Sequence, residues 1–183
     1  MKKIINSTYI SLDGVIENPQ DWPMPPDDGT GGRIQSELLF ACDAVLMGRR
    51  TYEGFAPVWS ARSGDPLSDR INSMSKYVVS TTLTDPKWTN TTVIADDVIT
   101  QVSELKRQPG HDIVQYGFGQ LSYELLAHGL VDELRLWVHP LFVGRGGPGD
   151  LLYRDGDLAQ LELVATQPLT SGIVVLTYRM TES

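Results

Sequence analysis

The sequence predicts an α/β fold built on a mixed sheet. Two observations carry this. Short β-branched runs alternate with segments of helical spacing through the middle of the chain, and the last two strands follow each other without a helix between them. The first pattern makes a parallel sheet and the second adds an antiparallel hairpin at its edge.

Residues 3–10 are rich in β-branched side chains and read as the first strand, closed by the turn Ser11-Leu12-Asp13-Gly14. Residues 18–32 hold four prolines and three glycines around Trp22, which makes a long loop. Loops of this length in compact domains are usually either functional or disordered. Helical spacing begins at Arg33 and runs to Ala41. Asp43-Ala44-Val45-Leu46-Met47 is a short apolar run, and Gly48 ends it. A helix opens at Arg49-Arg50-Thr51. Strands follow at 76–79 and 91–94, the first stopped by Ser80-Thr81-Thr82. Helical spacing returns over 97–107, a strand over 112–116, a turn at Gly117-Phe118-Gly119 and a helix over 120–128. Residues 132–139 alternate as a half-exposed strand does. Gly144 to Gly149 forms a glycine-rich loop, and 159–167 with 172–180 make the closing hairpin. There is no repeat or linker, so residues 1–183 are expected to form one domain.

With 183 residues and 41% hydrophobic side chains, the chain can bury a substantial core. Its formal net charge of -8 argues against nucleic acid and anionic membranes as partners. The single cysteine, Cys42, sits in a core-like context and allows no intrachain disulfide. No apolar run is long enough for a membrane span. The N-terminus turns polar too early for a signal peptide, so a cytoplasmic protein is expected. No His, Cys and carboxylate cluster has metal-ligand spacing, so no metal is expected.

Ligands of open α/β sheets bind beyond the carboxyl ends of the parallel strands. Three such ends carry suitable residues here. At Gly48-Arg49-Arg50-Thr51, glycine permits close backbone approach, and the following helix offers free N–H groups and a positive dipole end. Two arginines there oppose that dipole, which makes sense if an anion sits between; the competing reading is a plain strand-to-helix turn with solvated arginines. Ser80 and Thr81 bring hydroxyls suited to phosphate or ribose, although such residues also form plain turns. Gly117-Phe118-Gly119-Gln120-Leu121 places a Gly-x-Gly between strand and helix, where a pyrophosphate can rest on backbone N–H groups. It lacks the third glycine and the following acid of a dinucleotide-binding Rossmann fingerprint.

On the substrate side, Asp13 follows the first strand and is either a proton source facing the cleft or a turn residue. Trp22 either stacks on a flat heterocycle or anchors its loop. Glu37 on the first helix is a candidate substrate carboxylate, with a solvated helix face as the competing reading. His139 ends its strand beside Pro140 and reads as structural.

These segments in this order resemble the dihydrofolate-reductase-like superfamily. They are similar above all to the reductase domain of the bifunctional riboflavin-biosynthesis deaminase–reductase and its stand-alone relatives. The matching pieces are Ser11-Leu12-Asp13-Gly14, the run from Asp43 to Tyr52, Tyr77-Val78-Val79-Ser80, Tyr116-Gly117-Phe118-Gly119 and Val131-Asp132-Glu133-Leu134-Arg135-Leu136. The resemblance implies a three-layer fold with about eight strands, NADPH across the strand ends, and a homodimer. It implies phosphate contacts at Gly48, Arg49, Arg50 and Thr51, the adenosine end beside Ser80 and Thr81, and pyrophosphate at Gly117 through Leu121. Phe118 departs from the usual small residue and must point away from the cofactor or narrow the site. Folate reductases place a carboxylate under the pterin. Asp27 or Asp28 is the nearest equivalent here, and Asp28 is taken as the second catalytic candidate beside Asp13. The expected activity is hydride transfer from NADPH to a small planar heterocycle, a pyrimidine or pterin related to riboflavin or folate biosynthesis. The alternative is a nucleotide-binding module that keeps the fold without catalysis.

Overall fold

The structure is a computed structural model and describes residues 1–156 and 158–181. In chain order the elements are β1 (Ile4–Ser11), α1 (Thr30–Ala41), β2 (Cys42–Gly48), α2 (Arg49–Ser60), α3 (Pro66–Ser73), β3 (Ser75–Val79) and β4 (Thr91–Ile94). Then come α4 (Val98–Arg107), β5 (Asp112–Tyr116), α5 (Gln120–Ala127), β6 (Glu133–His139), β7 (Leu161–Pro168) and β8 (Val174–Met180). Single 3-10 turns lie at Pro19–Asp21 and Pro148–Asp150.

The eight strands form one sheet in the order β4-β3-β2-β5-β1-β6-β8-β7. The ladders from β4 to β6 are all parallel, and β8 and β7 join antiparallel. Side chains alternate across the sheet, so each central strand feeds two cores. Ile5, Val45, Met47, Val78 and Val114 pack beneath α1, α2 and α3. Ile4, Leu46 and Ile113 pack with Val102 of α4 and Leu125 of α5 on the opposite face. The result is three layers, and the apolar run of β2 is buried on both sides because helices cover both.

The expected elements are present with ends moved by a few residues. Helix α1 starts at Thr30, because Asp28 and Asp27 accept the backbone N–H groups of Thr30 and Gly31 (2.9 and 3.0 Å) and so satisfy its first turn despite the glycines. Helix α3 has no counterpart in the sequence reading. It is short, and only Ser68 and Ile71 are buried.

Two ion pairs stitch the amino ends of the strands. Lys106 Nζ donates to Asp132 Oδ2 (2.5 Å), which also accepts the Ile4 N–H (2.7 Å). Lys2 Nζ donates to Asp43 Oδ1 (2.6 Å), and the His111 N–H donates to the other oxygen (2.8 Å). Cys42 lies in the core, and burial pushes its thiol up to about 12. No helix among the described residues is long and apolar enough to cross a membrane.

Candidate functional site

The carboxyl ends of β3, β2, β5 and β1 lie side by side. Gly48 at the tip of β2 pairs with Val79 of β3, and Leu46 pairs with Gln115 of β5. Ser7 of β1 pairs with Tyr116, so β1 runs on past the end of β5. The three segments singled out in the sequence therefore share one edge of the sheet, on three adjacent strands.

Their contact is direct at one point. Gly117 has φ +77, and a β-carbon built on it would lie 2.6 Å from Thr51 Oγ1. Only glycine fits both the backbone conformation and the space. The turn is held from behind by a buried polar chain. Asn6 Nδ2 donates to Gln115 Oε1 (3.0 Å) and to the Gly117 carbonyl (2.9 Å), and Thr8 Oγ1 donates to Asn6 Oδ1 (2.8 Å).

Beside this contact, two helices begin without side-chain caps. The N-caps are Gly48 for α2 and Gly119 for α5. A β-carbon on either would meet nothing within 4 Å, so there is room beside both glycines. Gly48 itself has φ -80, an ordinary extended conformation. No left-handed turn is needed there, and what glycine provides is clearance for a close backbone approach. The first-turn N–H groups and positive dipole ends of these two helices are the kind of groups that can hold an anion.

The side chains around this edge divide into those free to meet a ligand and those already committed. Arg49 donates to Glu53 (3.0 Å) one turn along α2. Arg50 is exposed, with Glu17 at 4.0 Å. Ser80 Oγ accepts the N–H groups of Thr82 and Leu83 (3.1 and 3.0 Å), so it shapes the turn and leaves Thr81 at the surface. Phe118 turns inward against Ile16 and Leu134 and meets Tyr123 edge-on at 4.9 Å. It does not narrow the edge. Leu121 packs into the α4–α5 core and Gln120 is exposed, so this segment presents backbone to a ligand.

The carboxylate candidates are corrected. Asp13 accepts from Ser11 Oγ (2.5 Å) and from the N–H groups of Val143 (3.1 Å) and Gly144 (2.8 Å). The Ser11 hydroxyl and these N–H groups hold its carboxyl at about 2. It is an ionised clasp between two loops, unsuited to donating a proton near neutral pH. Asp28 is held below the usual carboxylate range by its hydrogen bonds from Thr30, and Asp27 is bonded to Gly31; both are exposed caps of α1. Glu37 points to solvent beside Arg33 (3.9 Å) and does not face the cleft.

Trp22 is buried, edge-on to the His139 ring at 5.4 Å. It anchors its loop and forms one wall of a cavity of about 340 Å³ between residues 15–22 and 143–150, with Glu17, Arg145 and Asp150 also on the lining. Tyr9 and Gln35, on the α1 side of this edge, are residues the sequence reading passed over. Tyr9 lies in register with Trp137, two positions beyond the end of β5.

The sequence profile of the RibD C-terminal domain family matches residues 2–175. This chain belongs to that family. The RibD C-terminal domain here is 31% identical to the uncharacterized protein YyaP of Bacillus subtilis strain 168, over 97% of this chain and 94% of that one. Two solved structures share its fold. One is the diaminohydroxyphosphoribosylaminopyrimidine deaminase/5-amino-6-(5-phosphoribosylamino)uracil reductase of Thermotoga maritima (TM-score 0.68, 14% identity, 98% of this chain and 57% of that chain). The other is a pyrimidine reductase-like protein of Corynebacterium diphtheriae (TM-score 0.62, 14% identity, 100% and 93%). The fold is therefore dihydrofolate-reductase-like, of the riboflavin-biosynthesis reductase type.

Proposed function

We propose that this chain is an NADPH-dependent reductase acting on a small planar heterocycle of the pyrimidine or pterin kind, as its membership of the RibD C-terminal family suggests. The observation that carries the reading is the meeting of two uncapped helix starts at the Gly117–Thr51 contact. When bound, the dinucleotide supplies the hydride. The chain's own residues would do the rest. Backbone N–H groups of Arg49, Arg50 and Thr51 bind one phosphate group, and those of Gly119, Gln120 and Leu121 bind the neighbouring one. Arg50, exposed and loosely held, meets the 2′-phosphate as a forked donor. Thr81 and the Ser80 turn border the adenosine end. The Trp22 loop shields the reacting edge from water. We place the activity in the cytoplasm, where a lone thiol stays reduced, and in a homodimer.

A thermal-shift titration tests the cofactor. NADPH at 100 times its Kd adds about 2.7 kcal/mol of stability, and Arg50→Ala should weaken NADPH about ten-fold, one charge-assisted hydrogen bond, while leaving NADH nearly unchanged. Absence of any shift with millimolar NADPH and NADH would remove the reading. The commitment of Asp13, Asp27 and Asp28 to backbone N–H groups favours a second reading, binding without turnover. Single-turnover oxidation of bound NADPH against pyrimidines and pterins separates the two.

A further inference from the structure

The run Gly144-Arg145-Gly146-Gly147-Pro148-Gly149 has the composition of a phosphate cradle, but its anion positions are already filled. Asp13 accepts the N–H groups of Val143 (3.1 Å) and Gly144 (2.8 Å), and Asp150 Oδ2 accepts that of Gly147 (2.6 Å). A β-carbon built on Gly146, where φ is +123, would lie 2.9 Å from Asp150 Oδ2. The Asp150 carboxylate therefore occupies the hollow of the turn, where a phosphate would have to lie. The segment after β1 pins this loop at both ends. The Asp13 clasp holds one end, and the Val15–Leu151 bridge with the Ile16 N–H on the Asp150 carbonyl (2.8 Å) holds the other. Between the two segments lies the cavity of about 340 Å³, within the roughly 300–1,000 Å³ usual for ligand pockets. Its polar walls carry Glu17, Asn18, Asp21 and Asp150 against one cation, Arg145.

We propose that this cavity takes an uncharged, hydroxyl-bearing group of the substrate and rejects a phosphate ester, with Asp21 and Asp150 as specificity-determining residues. This rests on the reductase reading for the presence of a substrate beside the Trp22 loop, and it narrows that substrate to an unphosphorylated one. A phosphate monoester carries close to two negative charges at neutral pH and presents acceptor oxygens. In this cavity it would meet three carboxylates and a single guanidinium, and like charges brought together out of bulk water repel strongly. The backbone donors it would need at Val143, Gly144 and Gly147 are taken. Displacing Asp150 from Gly147 would only leave that carboxylate unpaired beside a second anion. A hydroxyl group suits both kinds of wall. It donates to a carboxylate of Glu17 or Asp21, or to the Asn18 carbonyl, and it accepts from Arg145. The bond from a hydroxyl to a carboxylate is charge-assisted, which makes it stronger than a neutral pair.

Calorimetric titration with uridine and with uridine 5′-phosphate, each in the presence and absence of NADPH, measures the preference. The wild type should bind uridine about ten-fold more tightly than its phosphate, the scale of one charged hydrogen bond. Asp150→Ala frees the Gly147 N–H and removes a charge, so it should tighten uridine 5′-phosphate by a similar factor and change uridine little. Asp150→Asn keeps an acceptor for Gly147 and removes only the charge, so its effect should be smaller and in the same direction. Asp21→Asn should narrow the preference from both sides. A cooperative thermal melt reports that each variant has folded, and Asp150→Asn with Asp21→Asn carries the test if Asp150→Ala does not fold. The proposal is overturned if the wild type binds the phosphate as tightly as uridine, if it binds neither probe, or if the folded variants leave both Kd values within two-fold. Loss of NADPH binding with the probe preference intact would sink the reductase reading and leave the cavity's selectivity standing.

Discussion

Gly117 carries the most constraint per atom at the candidate site. A left-handed backbone costs an ordinary residue about 1–2 kcal/mol, and here the added methyl would also press on Thr51 Oγ1 at 2.6 Å. Gly117→Ala should therefore lose at least that stability in urea unfolding. It should also weaken NADPH by more than the stability loss explains, because relief of the clash moves the start of α2 or α5. Asp13 is the opposite case, a residue whose chemistry looks catalytic and whose geometry is local. Its folded carboxyl titrates at about 2, below the ordinary value of 3.8. Its contribution is thus complete above about pH 5 and disappears as pH falls through about 2. The difference in melting temperature between wild type and Asp13→Asn should shrink over that window, and turnover at neutral pH should survive the substitution. The sequence showed where acids stand but not which backbone N–H groups they serve.

At the level of elements, the strand ends and helix starts were legible because glycine punctuates them and β-branched runs fill the strands between. Helix α3 was not, although Asp65 accepts the Ser68 N–H (3.0 Å) and Pro66 follows it, a readable helix start. The segment is mostly polar, so it shows little apolar periodicity. What holds it is Lys76 of β3, fully buried, whose Nζ donates to the carbonyls of Asn72 (3.0 Å) and Met74 (2.7 Å) and lies 4.7 Å from the Trp88 ring. Cation and helix carboxyl end suit each other, but no carboxylate pairs with this ammonium among the described residues. Burial lowers its pKa from 10.5 to about 8. The folded state then binds fewer protons than the unfolded chain between about pH 8 and 10.5. Stability from this group rises with pH across that window, by up to about 1.4 kcal/mol per pH unit. Chemical unfolding of wild type and Lys76→Met at pH 7, 9 and 10.5 should show the wild type gaining relative to the variant.

Across the whole molecule the two edges of the sheet divide the work. The amino ends carry the ion pairs of Lys106 with Asp132 and Lys2 with Asp43, while the carboxyl ends carry open helix starts and unfilled acceptors. Asp132→Asn should cost about 2 kcal/mol, the scale of a charged hydrogen bond, with no change in NADPH affinity beyond that. The remaining open feature is the last edge. All eight residues of β7 are exposed, including Leu161 (39%), Leu163 (51%) and Val164 (39%), and its outer ladder has no partner among the described residues. A long edge strand with apolar side chains invites pairing with another chain and is normally shortened, charged or covered. The sequence showed this hairpin but not its exposure, because the alternation of β7 reads the same whether its second face meets solvent or a second copy. A homodimer that covers β7 on both protomers would bury these leucines by a two-fold contact. Sedimentation velocity at micromolar concentration should then give a dimer for the wild type and a monomer for Leu163→Lys, with the same NADPH-induced thermal shift in both because β7 lies five strands from β2. A wild type that sediments as a monomer would mean that β7 is not a dimer surface at those concentrations. Loss of NADPH binding in the monomeric variant would instead mean that the partner copy helps to complete the site.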